Sequence, residues 1–228
     1  MKKNLLVILA FLPIVYAGCA DNAYTPTPPA QPDSYLPETY GSTWRYRDSI
    51  YHDNADSATV NGIKIDTLTL TINGNTTDVN GMICYNAIVS SVKNGPGTVY
   101  FHAHEHILGL LESTPPFGMT NFDFLVDTAK VGYTWGSTPS ENTLLNGYPV
   151  TSINTVKEKN ITKVVGGITF TQVVHTTANF QISINGAPYH NIAYYDFYLA
   201  KNIGLIEKDA YVYGNLNETE TIIDYVIK

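Results

Sequence analysis

The stretch IKIDTLTLTING, residues 63–74, is the part of this sequence that best indicates its fold class. Alternate residues of the stretch would face opposite sides of a strand. One face would carry Ile63, Ile65, Thr67, Thr69 and Thr71, and the other Asp66, Leu68, Leu70 and Ile72. Such a period of two is typical of a half-buried β-strand. Asn73-Gly74 predicts a tight hairpin turn directly after it.

The composition indicates the same class beyond this strand. Seventeen of the 228 residues are tyrosine, threonine and asparagine are also frequent, and apolar residues seldom recur at helical spacing. Tyrosine and threonine suit the pleated, half-buried surface of a sheet, so we expect little helix. Cys84 lies between Ile83 and Tyr85 in an apolar strand pattern, which predicts a buried, unreactive thiol.

Three short motifs occur twice in the same order, about 90 residues apart. The pairs are Gly41–Trp44 with Gly132–Trp135, Gly81–Cys84 with Gly167–Phe170, and Leu108–Glu112 with Ile203–Glu207. Self-similarity at one spacing is the signature of an internal duplication. We therefore predict two similar halves, about residues 38–125 and 126–228, with Trp44 and Trp135 packed in the core.

These observations predict an all-β, antiparallel fold of about ten strands from two similar halves. Because an open, twisted sheet of that size tends to curl or split, we expect an open half-barrel or a two-sheet sandwich. Two separate small β domains are the alternative. A half-barrel would resemble the lipoprotein carriers and related apolar-ligand proteins of the bacterial envelope, which is a resemblance of fold alone.

Residues 1–18 have the layout of a secretory signal peptide, since two lysines precede an apolar run from Leu5 to Val15. That run is shorter than the ~20 residues needed to cross a bilayer. Small residues then lead to Cys19, an arrangement that resembles the bacterial lipobox, in which the cysteine is lipidated. Tyr16 departs from the aliphatic residue usual in that motif, so ordinary cleavage after Ala17 is the alternative.

Residues 19–37 are rich in proline, with Thr, Ala, Asn and Asp between the prolines. This composition favours extended, unpacked chain and predicts a tether between the lipid on Cys19 and a β domain at residues 38–228. The chain has 13 basic and 20 acidic residues. Cleavage of the predicted signal peptide would remove two of the basic residues, Lys2 and Lys3. The resulting net charge of about −9 argues against nucleic acid and anionic membrane surfaces as partners.

The motifs Gly41–Trp44 and Tyr194–Glu207 together resemble a family of envelope lipoproteins of Bacteroidetes. That family shows an early Gly-x-Thr-Trp and a late Tyr-Tyr-x-x-x-x-Ala-Lys-x-Ile-Gly-Leu-Ile-Glu, and the resemblance spans most of the mature chain. It implies a β fold and a lipid-anchored location in the cell envelope, at the outer membrane. It implies no catalytic residue.

His102-Ala103-His104-Glu105-His106 is the one cluster of metal-ligand type in the sequence. On a strand its three imidazoles would share one face with neighbours ~7 Å apart, and two of them could hold a zinc ion. A third ligand would come from His175, His190 or Asp196. Three protein ligands and a water are the pattern of catalytic zinc, so a zinc-dependent hydrolase is one hypothesis. A polar row on the solvated face of an edge strand is the other.

Tyr194, Tyr195, Phe197 and Tyr198 crowd one predicted strand, where alternate rings could contact a glycan or a protein. The sequence lacks a nucleophile elbow, a phosphate loop and a His-Glu-x-x-His motif. We therefore expect a lipid-anchored binding or structural module of the cell envelope, without catalytic activity or cofactor. Its partner would be an apolar ligand, a glycan or an envelope protein, and the zinc hydrolase is the alternative.

Overall fold

The computed structural model describes residues 34–51, 63–79, 81–93, 95–104, 106–114, 118–137, 144–145 and 147–228. The predicted signal peptide, the lipidation site Cys19 and most of the predicted tether lie outside these ranges. The statements about them stay predictions. Within the described ranges every regular element is a strand, as the composition predicted. None of those residues forms a helix that could cross a membrane.

Thirteen strands make up the described structure. They are β1 (Thr43–Tyr51), β2 (Ile63–Val79), β3 (Met82–Ser91), β4 (Gly95–His104), β5 (Ile107–Thr114), β6 (Gly118–Val126), β7 (Thr134–Ser137), β8 (Leu144–Leu145), β9 (Tyr148–Val165), β10 (Ile168–Ile182), β11 (His190–Ala200), β12 (Gly204–Val212) and β13 (Asn215–Val226). Twelve of them follow one another in one sheet, in the order β6-β5-β4-β3-β2-β1-β13-β12-β11-β10-β9-β7, and β8 pairs with β9 off this path.

The sheet consists of two consecutive meanders joined along one ladder. Strands β1 to β6 form the first meander, each paired with the next, and β7 with β9 to β13 forms the second. Antiparallel pairing of β1 with β13 joins them. The paired sequence motifs lie at matching places, because they fall at or near the starts of β1 and β7, β3 and β10, and β5 and β12. One sheet thus runs through both predicted halves, and they are not separate small domains.

The prediction of about ten strands was too low, because twelve strands follow one another in the sheet. Two strands with no clear period of two, β6 and β7, lie at the edges of the sheet. β7 has four residues, and β6 ends in an unbroken apolar run from Phe124 to Val126. Very short strands and continuous apolar runs carry no period-two pattern, so the sequence does not distinguish them from loops.

The sheet curls until its edge strand β6 lies over the inner face of the second meander. The hydroxyl of Thr176 on β10 donates a hydrogen bond of 2.5 Å to the carbonyl oxygen of Phe124. Ring centroids are 5.5 Å apart for Phe122 and Phe180, and 5.7 Å apart for Phe124 and Phe197. Each such aromatic pair contributes about 0.5–1.5 kcal/mol beyond its buried area. Among the described residues no ladder joins β6 to β7, so side-chain packing and the Thr176 hydrogen bond close the core.

The structure confirms the alternation in β2 and corrects the turn predicted after it. Leu68 and Ile72 are buried, whereas Ile65 on the opposite face is exposed. Asn73-Gly74 does not form a hairpin turn, because β2 continues to Val79 with an irregular register between Ile72 and Thr76. Gly74 has a φ of +80° beside the Tyr40 ring. A glycine at positive φ suits a β-bulge as well as a tight turn, so local sequence does not separate the two.

Of the two tryptophans predicted to lie in the core, one is fully enclosed. Trp44 is 3% exposed, and its Nε1 donates a hydrogen bond of 2.6 Å to the carbonyl oxygen of Ile203. Trp135 is only partly buried and stacks on Tyr133 at a centroid distance of 6.1 Å. Cys84 is fully buried as predicted, and desolvation raises the pKa of its thiol to about 11.

Candidate ligand-binding cavity

A cavity of about 120 Å³ lies on the inner side of the curled sheet. Its wall is mostly apolar and comes from both meanders. The lining residues are Leu36, Trp44, Tyr46, Leu68, Leu70, Ile72, Val89, Gly97, Thr98, Val99, Phe101, Leu110, Phe124, Phe197, Gly204, Leu205, Lys208 and Glu220. Inward-facing positions alternate along each strand, so neighbouring strands each contribute one or more apolar side chains to a shared wall.

The segment at residues 34–37, just before the predicted β domain, packs onto the wall of this cavity. The carbonyl oxygen of Ser34 accepts a hydrogen bond of 2.7 Å from the backbone N–H of Asn202. Leu36 is 6% exposed and lines the cavity directly. A Cβ on Gly204 would lie 3.4 Å from Pro37 and 3.7 Å from Trp44, so glycine there permits the close approach. Residues 34–37 are therefore packed against the sheet, although the tether was predicted to extend to residue 37.

One end of the cavity is ionic. We call Asp48, Asp66, Glu218 and Glu220 the acidic cluster. Strand register assembles it, since Asp48 on β1 lies opposite Asp66 on β2 and opposite Glu220 on β13. Lys208 on β12 lies opposite Glu220, and its Nζ is 2.5 Å from a Glu220 oxygen and 3.0 Å from a Glu218 oxygen.

The members of the acidic cluster are unusually well buried for carboxyl groups. Asp48 and Asp66 are each 6% exposed, and Glu218 is 1% exposed. Asp66 accepts hydrogen bonds from the Ser91 hydroxyl and the backbone N–H of Thr67. Oδ1 of Asp48 has no hydrogen-bond partner among the described residues. Burying an unpaired polar atom costs about 1–3 kcal/mol, so this position carries a free-energy penalty.

Desolvation raises the pKa of Asp48 to about 7, and the nearby Glu220 charge acts in the same direction while Lys208 opposes it. Burial likewise raises the pKa of Glu218 well above its ordinary value. Burial also raises the pKa of Glu38 to about 7. All three groups therefore hold protons in the folded chain at pH values where they are ionised in the unfolded chain.

We expect the chain to lose stability as the pH rises from about 4 to about 7, because across that window the folded state binds more protons than the unfolded state. Calorimetry should show a higher melting temperature at pH 5 than at pH 8. Asp48→Asn should raise the melting temperature at pH 8 and reduce the difference between the two pH values. Asp224→Asn, an exposed change on β13, is the control for general charge. A lower melting temperature of Asp48→Asn at pH 8 would contradict the expectation.

The histidines of the predicted zinc strand do not share one face. β4 ends at His104, and His106 lies in the following turn at a φ of +70°. His102 is 2% exposed with Nε2 3.0 Å from Asn121 Oδ1, whereas His106 Nδ1 lies 3.1 Å from Asp127 Oδ1 at the surface. The strand assumption was wrong because the chain reverses between His104 and Ile107.

The suggested third ligands lie in another part of the sheet. His175 Nε2 is 2.8 Å from Asp196 Oδ1, and its Nδ1 is 3.1 Å from Glu158 Oε2. His190 begins β11 and is exposed. Among the described residues no group of three or more His, Cys, Asp or Glu side chains has the geometry to hold a metal ion. Zinc binding by His102, His104 and His106 stays a prediction without geometric support.

The aromatic side chains of β11 are divided between the two faces of the sheet, as the period of two of a strand predicts. Tyr195 and Phe197 are each 3% exposed and face the core. Tyr194 faces outward and stacks on Tyr211 at a centroid distance of 4.2 Å, and Tyr198 stacks on His175 at 4.3 Å. Only the outward rings are placed to contact a glycan or a protein.

Sequence reasoning missed the acidic cluster, although one member shows a signal. Asp66 shares a face with Leu68 and Ile72, and a charged residue at a core-facing position indicates either a partner or a function. The other members show no such signal. Glu218 and Glu220 alternate with Thr219 and Thr221, a pattern that is typical of a strand with one face in solvent.

No protein-family model matches this chain. No curated protein matches it either. Two solved structures are similar. One is a protein of Bacteroides fragilis NCTC 9343, described as exported and as having a YmcC-like fold. It is 11% identical in sequence, the TM-score is 0.49, and the match covers 84% of this chain and 98% of that one. The other is from Parabacteroides distasonis ATCC 8503 and is described as a lipoprotein, at 11% identity, a TM-score of 0.49, and coverage of 86% and 100%. At this similarity neither description transfers to this chain.

Proposed function

We propose that this protein is a non-catalytic module of the cell envelope, anchored by a lipid on Cys19, that binds an apolar ligand in the cavity of its curled sheet. The observation that carries the proposal is the cavity itself, whose wall is mostly aliphatic and aromatic. Ligand sites are concave and mainly apolar, with a small number of polar groups that orient the ligand. Lys208 and Glu220 are such groups here.

The size of the cavity limits the ligand. Its volume of about 120 Å³ is close to that of a cavity of about 150 Å³ that accommodates benzene in an engineered protein. A single ring or a short alkyl segment would fill it, and any longer part of the ligand would extend outside. Each methylene group removed from water contributes about 0.8 kcal/mol, so a short alkyl segment is enough for measurable binding.

The polar groups of the cavity support binding more than catalysis. The Tyr46 hydroxyl donates a hydrogen bond of 2.9 Å to the carbonyl oxygen of Leu205, and Lys208 is ion-paired with Glu218 and Glu220. Nucleophilic catalysis needs a nucleophile within hydrogen-bonding reach of a base and open to the substrate. Among the described lining residues, these polar side chains are already engaged with the protein.

We further propose that residues 38–125 and 126–228 arose by duplication. The matching positions of the repeated motifs in the two meanders support this. Two curled meanders placed head to tail provide a continuous inner wall longer than either half could form alone. The cavity uses this wall, since Leu68 comes from the first half and Phe197 from the second.

Filling the cavity should weaken binding. Leu70→Trp places an indole where a partly buried leucine lines the cavity, and Ile65→Trp adds the same ring to the exposed face of the same strand. Both variants are made in a full chain carrying Cys19→Ser, so that no acyl group on Cys19 competes. Binding of the neutral fluorophore N-phenyl-1-naphthylamine is then titrated.

We expect Leu70→Trp to weaken fluorophore binding by about ten-fold or more, which corresponds to a loss of about 1.4 kcal/mol. Ile65→Trp should bind as the parent does. Circular dichroism confirms that both variants are folded before the titration is interpreted. Equal binding by all three proteins would contradict a ligand site in this cavity.

A further inference from the structure

The acidic cluster adjoins the cavity and indicates which head group the ligand carries. Glu220 and Lys208 line the cavity, and Glu220 lies directly opposite Asp48 in the sheet. The cluster contains four carboxyl groups. The nearby cations are Lys208 and the half-buried Lys64, so carboxyl groups outnumber cations at this end of the cavity.

Some buried carboxyl oxygens of the cluster, Asp48 Oδ1 among them, lack the hydrogen-bond partner that such atoms normally have. Asp48 is 6% exposed and its Oδ1 accepts no hydrogen bond from any described residue. Buried polar atoms in native proteins are almost always hydrogen-bonded, and exceptions call for an explanation such as a ligand. A donor that carries positive charge would satisfy the oxygen and, once Asp48 is ionised, would also balance its charge.

We propose that the ligand is an amphiphilic amine, whose apolar part fills the cavity and whose ammonium group is bound by the acidic cluster. The proposal rests on the proposed function, since it specifies the head group of the ligand bound in that cavity. An ammonium group offers three N–H donors and no acceptor, which suits a site made of carboxyl oxygens. A fatty acid would instead add a carboxylate beside four carboxyl groups.

The pH dependence of binding follows from the groups that face Asp48. They are Glu218 and Glu220 from β13, Lys208 from β12, and Asp66 and Lys64 from β2. An ammonium ion prefers ionised carboxylates, and aliphatic amines keep their proton up to a pH of about 10. Affinity for the amine should therefore rise between pH 5 and pH 8, as Asp48 becomes ionised. Affinity for a neutral ligand should not follow that trend.

The test uses octylamine, 1-octanol and octanoate, which share a chain length and differ in the head group. Each displaces N-phenyl-1-naphthylamine from the full chain in the Cys19→Ser background, at pH 5 and pH 8. We expect octylamine to bind about ten-fold more tightly than 1-octanol at pH 8, as a charge-assisted contact requires, and octanoate to bind most weakly. The advantage of octylamine should shrink at pH 5.

A variant that removes the charge of Asp48 tests whether the head group of the ligand binds at the acidic cluster. Asp48→Asn should weaken octylamine binding about five-fold or more and leave 1-octanol binding unchanged. Asp224→Asn removes one carboxylate from the outer side of the sheet and should change neither affinity. The series on the parent chain decides the question even if Asp48→Asn does not fold.

Equal affinities for octylamine and 1-octanol would overturn the amine proposal and leave apolar-ligand binding intact. Tightest binding of octanoate would overturn it too, since Lys208 would then control the head group. If none of the three displaces the fluorophore, apolar-ligand binding in this cavity fails and the amine proposal fails with it.

Discussion

Trp44→Ala should lower the free energy of unfolding by about 3–5 kcal/mol, the range for truncating a large buried aromatic residue. Trp44 is 3% exposed and lines the cavity, so the deletion leaves a void that the curled sheet cannot easily fill. It also removes the donor to the carbonyl oxygen of Ile203, at the end of the turn between β11 and β12. The measurement is urea unfolding followed by far-ultraviolet circular dichroism, because the substitution removes a fluorophore.

Trp135→Ala is the matched control for that loss. Trp135 follows the same Gly-x-Thr pattern in the second half, but it is only partly buried and its main ring neighbour is the exposed Tyr133. We expect its truncation to cost about half as much or less, because less area is removed from solvent in the folded state. Equal losses would mean that the two tryptophans are equivalent and that burial of Trp44 is not the cause.

Gly109→Ala should destabilise the chain by about 1–3 kcal/mol, as overpacking of a filled core does. Gly109 on β5 lies opposite His102 on β4, and the imidazole covers the position of the missing side chain. A Cβ there would be 2.1 Å from His102 Nε2 and 2.9 Å from the carbonyl oxygen of Phe122. Relief requires the imidazole to leave Asn121, whose Oδ1 is 3.0 Å away.

A double variant separates the two contacts made by that added methyl group. In the His102→Ala background, Gly109→Ala still meets the Phe122 carbonyl oxygen but no longer meets the imidazole, and it should cost less than it does in the parent. Residues in contact show coupling of about 0.5–3 kcal/mol, so a cycle of urea unfolding measurements resolves the difference. Additive effects would show that His102 and Gly109 do not form one packed unit. Gly97→Ala is unsuitable as a control because Gly97 lines the cavity.

The local features of the fold could be predicted from the sequence. The period of two in β2 depends only on which side of a strand each residue faces, and Leu68 and Ile72 are buried accordingly. The division of Tyr194 and Tyr195 between opposite faces of β11 follows from the same rule. These features need no knowledge of distant residues, and the sequence is therefore sufficient for them.

Features that depend on pairing between distant strands could not be predicted. The acidic cluster forms because β1 pairs with β13, which places Asp48 opposite Glu220 although they are far apart in the sequence. No local pattern contains that register. The strand that was predicted to carry the three histidines was wrong for a different reason, because it was assumed to continue from His102 to His106 when the chain turns after His104. Strand ends are set by the hairpin turn, and alternation of histidines does not show where the turn occurs.

The segment at residues 34–37 gives the chain a mechanical property. Its Leu36 side chain forms part of the cavity wall, and its Ser34 carbonyl oxygen accepts a hydrogen bond from Asn202 in the turn between β11 and β12. A tensile load applied upstream of Ser34 would therefore act on the cavity wall before it acted on the strands. The ligand and this segment contact the same wall of the cavity. Ligand occupancy and the force needed to detach the segment from the sheet should therefore depend on each other.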